Sequence, residues 1–127
     1  MSFSNTYETN VLQWAFTGDA VTRPTSWYLG LFTANPDEDG SGATEVSGNA
    51  YARTAVTFSV SGNLATNTGA VEFPVATGAW GVISHVAVFD AATGGNQIAY
   101  AALTTSKDIQ TGDVIRFPVG DVDITLD

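Results

Sequence analysis

The sequence contains no cysteine, one histidine and only four basic residues among 127 positions. Without cysteine it can form no disulfide framework, no thiolate zinc site and no cysteine nucleophile. The single histidine, His85, excludes a zinc site built on a histidine pair, and a Ser-His-Asp triad would have to use this residue. It lies in an apolar strand pattern, and Asp90, five positions later, falls on the opposite face of a strand. We therefore predict that His85 is a packed or interface residue and that the protein is not an enzyme.

The four basic residues stand against thirteen acidic ones, which gives a formal charge of -9 at pH 7. This field repels a phosphate backbone, so nucleic acid is not expected as a partner. No run approaches the roughly 20 apolar residues that span a bilayer, and the first segment lacks the basic start and apolar run of a secretory signal. We expect a soluble protein with no membrane partner and no cofactor.

Charged residues are also scarce, at 13% of the chain, whereas hydrophobic residues make up 44%. An average domain has roughly 25% charged residues. The length fits one domain that can bury its own core without metals or disulfides. A surface of small neutral side chains suits a protein that packs against copies of itself or against a larger partner.

One segment, residues 4–18, has helical periodicity. Ser4 or Asn5 can cap it, Glu8 completes a capping box with Asn5, and Gly18 can end it in the left-handed conformation. Its apolar residues form one stripe: Tyr7, Val11, Leu12 and Ala15, broadened by Trp14 and Phe16. Two alternatives remain for this stripe. It packs on the protein's own sheet, or it docks onto a neighbouring subunit, because a terminal helix before a short linker can reach outward.

From Trp27 onward the apolar residues alternate with period two, which predicts strands. The first of these, WYLGLF, has apolar residues on both faces and is expected to be covered on both sides. A longer strand is predicted over residues 51–60. Further strands are predicted around residues 67–73, 81–89, 97–103, 113–117 and 121–126.

Seven or eight short strands with turn signals between them, preceded by one helix, predict an all-β fold, an antiparallel β-sandwich or jelly roll. We predict an N-terminal helix and linker over residues 1–26 and a β-sandwich domain over residues 27–127. Together they form one compact domain.

Residues 35–46, NPDEDGSGATEV, partly match the calcium loop of a helix-loop-helix hand. Asn35, Asp37 and Asp39 stand at loop positions 1, 3 and 5, with glycine at position 6. The two-oxygen glutamate required at position 12 is missing, because Glu45 falls one residue early. A polar surface turn explains the same residues. Asn35, Asp37 and Asp39 are therefore only weak candidates for a metal site.

Three segments resemble a family of small phage virion proteins: WYLGLFTANPD, GATEVSGNAYARTAVTF and ISHVAVFDAATGGNQIAYAALTTSKDIQTGDVIRFPVGDVDITLD. Members of that family are labelled tail fibre protein, minor structural protein or head decoration protein. The resemblance extends from about Trp27 to the end of the chain. It implies a β-sandwich virion component that assembles with copies of itself as homotrimers, and it supplies no catalytic residues.

We expect a capsid decoration (cement) protein on the head surface that bridges neighbouring subunits of the phage major capsid protein by adding contact area. The alternative is a receptor-binding module of a tail fibre or baseplate that holds a host glycan with Trp27, Tyr28 or Trp80, together with acidic loop residues. The predicted protein contacts lie on the helix, the acidic loop and the strand around the histidine: Tyr7, Val11, Trp14, Asp37, Glu38, Asp39 and His85.

Overall fold

The computed structural model describes residues 1–42 and 44–126. Within these ranges it contains one helix and ten strands, most of them short. In chain order the elements are β1 (Ser2–Phe3), α1 (Asn5–Phe16), β2 (Tyr28–Phe32), β3 (Thr54–Ala55), β4 (Phe58–Ser61), β5 (Leu64–Asn67), β6 (Val71–Glu72), β7 (Gly81–Phe89), β8 (Gln97–Ile109), β9 (Arg116–Phe117) and β10 (Asp123–Thr125). In this described part of the chain, no helix has the length and hydropathy to cross a membrane.

The strands pair antiparallel in three sheets. A five-stranded sheet has the order β1-β8-β7-β2-β3, a three-stranded sheet has the order β10-β5-β4, and β6 pairs with β9. The main core joins one face of the five-stranded sheet to residues of the two smaller sheets. The predicted all-β sandwich is therefore confirmed, with ten strands among the described residues in place of seven or eight. A jelly-roll topology stays a prediction.

Strand β2 is covered on both faces, as the sequence predicts. Leu29 and Leu31 are fully buried in the main core. Phe32 points to the opposite face and belongs to a second, smaller apolar cluster with Phe89 of β7. The two rings stack with their centroids 6.1 Å apart. The five-stranded sheet thus carries apolar residues on both faces, and its outer face needs a cover of its own.

The single strand predicted over residues 51–60 is wrong. The chain forms β3 and β4 there, and these strands belong to different sheets. Val56 lies between them, is 4% exposed, and donates its amide to the carbonyl of Trp27. The chain leaves the large sheet at this point and enters the three-stranded one. An alternating pattern continues through such a crossing, so the sequence does not reveal it.

Helix α1 begins after Ser4, whose hydroxyl accepts the amide of Tyr7 at 3.3 Å. It ends at Phe16, and Thr17 is the C-cap in an extended conformation, with its hydroxyl donating to the carbonyl of Gln13 at 2.7 Å. The predicted left-handed stop at Gly18 is therefore wrong. Strand β1, which precedes the helix, pairs with β8 of the large sheet. The domain division at residue 26 stays a prediction.

Candidate interaction surface

The start of α1 is fixed to the sandwich by four hydrogen bonds, one of which runs from the amide of Ser4 to the carbonyl of Ile98 at 2.8 Å. The buried hydroxyl of Ser4 donates to the carbonyl of Gln97 at 2.5 Å. The hydroxyl of Tyr7 donates to Oδ2 of Asp90, in the turn after β7, at 2.9 Å. The amide of Asn5 donates to a carbonyl of the acidic loop at 3.0 Å. These bonds set the position and direction of the helix relative to the sheet.

The Tyr7–Asp90 contact changes the pKa of both groups. Partial burial alone would raise the pKa of Asp90, but hydrogen bonds from the backbone of Asn96, from Tyr7 and from the side chain of Asn96 hold it below its usual value. Desolvation, together with the hydrogen bond to Asp90, raises the pKa of Tyr7 to about 12. The pair is therefore held as a neutral phenol donating to a carboxylate.

The second half of α1, unlike its hydrogen-bonded start, exposes large apolar side chains to solvent. Leu12 is 58% exposed, Trp14 is 73% exposed and Phe16 is 80% exposed. With about three-quarters of two aromatic side chains in solvent, these residues present roughly 300 Å² of apolar surface. We call Leu12, Trp14 and Phe16 the apolar end of α1. Of the two alternatives for the helix stripe, packing on its own sheet holds only for Tyr7, and the apolar end is directed outward.

Val11 is half-buried and lies beside Trp14 in a small concavity of about 160 Å³, together with Val21 and Pro24 of the following segment. The segment after the helix therefore supports one side of Trp14. Of the three predicted helix contacts, Tyr7 is used within the chain, Val11 is half-covered, and Trp14 is available to a partner.

The acidic loop is held by its own side chains. Oδ1 of Asn35 accepts the amide of Asp37 at 2.9 Å. Oδ1 of Asp39 accepts the amide and the hydroxyl of Ser41 at 2.9 and 2.6 Å, and these bonds lower the pKa of Asp39. Among the described residues, no group of three acidic or histidine side chains is placed to hold a metal ion. Side-chain oxygens of Asn35 and Asp39 thus close turns of the loop, and Asp37, Glu38 and Asp39 are exposed. Ion binding by this loop stays a weak prediction.

A partly buried ion pair lies on the outer face of the large sheet. Nη2 of Arg53 lies 2.8 Å from Oε1 of Glu45, with the side chains 10% and 21% exposed. The guanidinium stands over the ring of Phe89 at 3.5 Å from the centroid. Tyr51 donates its hydroxyl to the same carboxylate. Arg53 and Glu45 thus lie over the second apolar cluster, whereas the ring of Tyr51 packs against Phe73 and Trp80 of the main core. We call Arg53, Glu45 and Tyr51 the Arg53 cluster.

The remaining donors of Arg53 tie this cluster to the turn between β7 and β8. Nη1 donates to the carbonyls of Ala91 and Gly94 at 2.9 and 2.8 Å. Gly30 in β2 leaves room for the carboxylate of Glu45, because a Cβ at this position would lie 2.9 Å from Oε2 of that residue. A signal for the cluster was present in the segment EVSGNAYAR, which contains the glutamate, the tyrosine and the arginine.

His85 lies half-buried in β7, opposite Phe32 of β2 and Ala102 of β8. Its Nδ1 lies 2.8 Å from the hydroxyl of Ser84. Asp90, the possible acidic partner considered above, is bonded to Tyr7 and Asn96. The structure does not bring the histidine and this carboxylate together, and a contact of His85 with a partner stays a prediction.

The three aromatic residues proposed to hold a glycan are not equally accessible. Trp80 is only 6% exposed and donates Nε1 to the carbonyl of Asn49 at 2.9 Å, so it belongs to the core. Trp27 packs partly against the main core, and Tyr28 is half-buried in β2. Stacking on a sugar needs an open aromatic face, which Trp80 does not offer.

A family model described as "Podophage GP4 fiber I protein gp80" matches residues 2–125 of the chain. The match includes the helix, every described sheet and the acidic loop. The chain belongs to this family. It is a small phage structural protein of the fibre type and a component of the virion, as the resemblance in the sequence implied. No curated protein matches the chain.

Membership in a fibre family bears on how the exposed surfaces of this protein are interpreted. A structural virion protein works through contacts with other proteins, which agrees with the prediction of a non-enzyme. Its outward-facing groups are then candidates for those contacts. The apolar end of α1 and the exposed carboxylates of the acidic loop are two such groups. The loop contacts the helix at its start, where the amide of Asn5 donates to the carbonyl of Glu38.

Proposed function

We propose that this protein bridges neighbouring virion proteins by docking the apolar end of α1, which is the work of a decoration protein. The observation that carries the proposal is the exposure of Leu12, Trp14 and Phe16 on one short helix. Leu12 and Phe16 share one face of the helix and Trp14 lies on another, so the end of the helix exposes large apolar groups on more than one side, and such groups mark contact sites. Because Ser4 and Tyr7 already fix the helix, docking requires little further ordering of the chain.

The physical mechanism is burial of additional area. A standard protein interface covers about 1,600 Å² in total, of which aromatic anchors supply most of the binding free energy. Trp14 and Phe16 are anchors of this kind. Many copies, each with a modest net affinity, resist separation of the subunits that they join, so no single strong bond is needed.

Two locations fit this role. On the head, the protein would reinforce contacts between major capsid subunits, assembled there as a homotrimer. In the tail, it would join a fibre to its neighbours, and the family description, which names a fibre, supports this second location. A glycan-binding role receives less support, because Trp80 is committed to the core.

The test of docking is incorporation into particles. Phage carrying Trp14→Ser and Phe16→Ser together are expected to contain at least about tenfold less of this protein than wild type, because hot-spot aromatics dominate an interface. Val60→Ser is the matched control, since Val60 is 74% exposed on β4, outside the helix. Equal incorporation of the helix variant and wild type would remove the basis of the proposal.

The number of copies per particle separates the two locations. A decoration protein is expected in hundreds of copies and a fibre protein in a handful, which quantitative staining of purified virions measures. Binding to empty heads gives an independent check of the head location. A sugar-dependent change in tryptophan fluorescence would support the glycan-binding alternative.

A further inference from the structure

We propose that the outer edge of β4 pairs with the same strand of a second copy, so that two copies join across a two-fold axis. The contact is made by main-chain groups of an open strand edge, which has none of the charges, bulges or covering segments that protect other edges of this protein. The edge lies outside α1, and its pairing does not depend on docking of the helix.

Strand β4 lies at one end of the three-stranded sheet, whose order is β10-β5-β4. Among the described residues its strand partner is β5 alone, from Phe58 opposite Asn67 to Ser61 opposite Leu64. The side chain of Val60, in the middle of β4, is 74% exposed. One side of this strand is therefore open to solvent.

Main-chain hydrogen bonds show which groups of β4 face the open side. The amide of Thr68 donates to the carbonyl of Thr57 at 2.9 Å, so Thr57 bonds towards β5. The amide of Asn67, which lies opposite Phe58, points away from β4. Because bonding direction alternates along an antiparallel strand, Phe58 and Val60 direct their N–H and C=O groups to the open edge. Within the described part of the chain these four groups have no main-chain partner.

Two other strand edges of this protein are protected, and the edge of β4 is not. Native edges are commonly blunted by charges, bulges or a covering segment. The edge of β10 carries Asp123, whose carbonyl also accepts the terminal amine of Met1 at 3.2 Å. The free part of β8 carries Lys107 and a shift of register. By contrast, no charged residue occurs between Arg53 and Glu72, and the register of β4 with β5 is continuous.

The distribution of charge favours a second copy as the partner. The chain has a formal charge of -9, so two copies repel each other over most of their surface. Asp123, Thr66 and Ser59 lie side by side on β10, β5 and β4. In a β4–β4 pair the two Asp123 side chains would be five strand spacings apart, about 24 Å, whereas charges are screened over about 8 Å. A strand edge is also complementary to itself, so two acidic chains can meet here without repulsion.

One antiparallel register uses all four outward groups. With Ser59 opposite Ser59 of the second copy, Phe58 of each copy lies opposite Val60 of the other, which gives four main-chain hydrogen bonds. A register centred on Val60 would place Phe58 opposite Gly62, which has a left-handed conformation in the turn after β4. A register centred on Phe58 would place Val60 opposite Val56, whose amide already has a partner within the chain. The register centred on Ser59 is therefore favoured.

This contact has a defined consequence for assembly. It joins two three-stranded sheets into one sheet of six strands, and a two-fold contact closes with two copies. The predicted homotrimer would need a different contact. Each copy carries its own α1, so the pair would present two helices, and a protein that bridges two neighbours needs at least two docking points.

Disulfide formation tests the register, because the wild-type chain has no cysteine. Opposite residues of a non-hydrogen-bonded antiparallel pair have Cα atoms about 4.5 Å apart, which a disulfide can span. On oxidation, Ser59→Cys is expected to form a covalent dimer at least about tenfold faster than Ser61→Cys, since proximity raises effective concentration. Ser61→Cys is the matched control, because it is also exposed on β4 but would lie about 13 Å along the strand from its own copy. Equal rates for the two variants would overturn the inference.

Charge substitution at the two-fold axis tests the contact without a crosslink. Ser59→Lys would place two cations opposite each other, and Ser59→Glu two carboxylates, and like charges directly opposite destabilise a strand pair. In light-scattering chromatography we expect the mass of two copies for wild type, of one copy for each variant alone, and of two copies again for their equimolar mixture. Ser61→Lys should keep the wild-type mass, because it lies opposite the uncharged Thr57 of the second copy.

Three results in this experiment contradict the inference. They are a wild-type mass of one or three copies, a wild-type mass for both charged variants alone, and a mixture that stays monomeric. Circular dichroism of each variant checks that the fold is retained, and the cysteine experiment is independent of the charged variants.

Failure of this contact and failure of the proposed function give different results. If Ser59→Lys is lost from particles while Ser59→Cys forms no covalent dimer, the edge pairs with another virion protein and the second-copy inference is overturned. If the helix variant is incorporated normally while Ser59→Cys crosslinks rapidly, the proposed docking is removed and the β4 contact stands. Val60→Ser, the control for helix docking, keeps both main-chain groups of this edge.

Discussion

Charged side chains usually lie in solvent and large apolar ones in the core. The Arg53 cluster departs from this rule by covering charged groups, and the apolar end of α1 departs from it by exposing apolar ones. The first places an ion pair against the outer face of the sheet, with Arg53 only 10% exposed. The second places Trp14 and Phe16 in solvent at 73% and 80% exposure. Charged residues are rarely buried unless paired, and exposed apolar patches mark binding sites.

The two regions differ in whether the unusual side chains find their contacts within the chain. Arg53 meets a carboxylate, two carbonyls and an aromatic ring of its own chain, so its burial needs no partner. Trp14 is supported on one side by the segment after the helix, and the rest of its side chain is exposed to solvent. The contacts of Arg53 are therefore satisfied within the chain, whereas the exposed surface of Trp14 is the part of the molecule on which the proposed docking depends.

The largest effect is expected from breaking the ion pair. Arg53→Ala leaves the carboxylate of Glu45 half-desolvated and frees the turn between β7 and β8, which should lower the free energy of unfolding by about 3 kcal/mol. Urea denaturation measures this. Arg23→Ala, on the exposed linker, should change it by less than about 0.5 kcal/mol. Equal midpoints for the two variants would show that the cluster is not a stabilising unit.

A smaller effect is expected from crowding the same cluster. Gly30→Ala introduces a Cβ that would lie 2.9 Å from Oε2 of Glu45 and 3.0 Å from Cε2 of Phe89. We expect a loss of about 2 kcal/mol in the free energy of unfolding, since overpacking shifts neighbouring groups. Gly69→Ala is the control, because its Cβ meets no atom within 4 Å. If thermal melts show the same decrease for both, close packing is not the reason for glycine in β2.

The hydrogen bond of Tyr7, which anchors the helix, should contribute less to the free energy of unfolding. Tyr7→Phe removes the hydroxyl that donates to Asp90 and keeps the ring in the core. The expected loss is about 1 kcal/mol, the usual net value of one such hydrogen bond. Hydrogen exchange should show faster exchange of helix amides in this variant. Unchanged exchange would mean that the bonds of Ser4 and Asn5 hold the helix without the Tyr7 hydroxyl.

The same contact should make stability depend on pH. The pKa of Asp90 is lowered in the fold, so its stabilisation is present above about pH 4 and is lost as the pH falls through the folded pKa. The pKa of Tyr7 is raised to about 12, so its stabilisation is present below about pH 10 and is lost as the pH rises towards 12. The stability difference between wild type and Tyr7→Phe should shrink at both extremes. A difference that is constant with pH contradicts this assignment.

The smallest effect on folding is expected at the apolar end of α1. Trp14→Ser together with Phe16→Ser should change the free energy of unfolding of the dilute monomer by less than about 0.5 kcal/mol, because both side chains lie mostly in solvent. Chemical denaturation at low protein concentration measures this. A loss above about 2 kcal/mol would show that these residues are part of the core, and the contrast with the Arg53 cluster would disappear.

Several elements could be predicted because the relevant physics is local. The period-two pattern predicts β7 over residues 81–89, where the structure has Gly81–Phe89. Helical spacing likewise predicts α1, with Ser4 or Asn5 as its cap, and the structure has Ser4 as the N-cap. The break between β3 and β4 could not be predicted, since a change of sheet leaves the alternation of Val56 and Phe58 intact. The Arg53 cluster could not be predicted either, because Glu45 and Arg53 meet Phe89 only after β2 and β7 have paired.

The sequence by itself determined that this protein is β-rich and without cysteine chemistry, with little charge and a helix near its start. Those properties depend on composition and on spacings of a few residues, where neighbouring side chains decide the local conformation. Only the tertiary structure decided which apolar residues are covered. Tyr7 and Trp14 stand on the same helix, yet one is buried and the other is exposed, because coverage depends on elements that are distant in the chain.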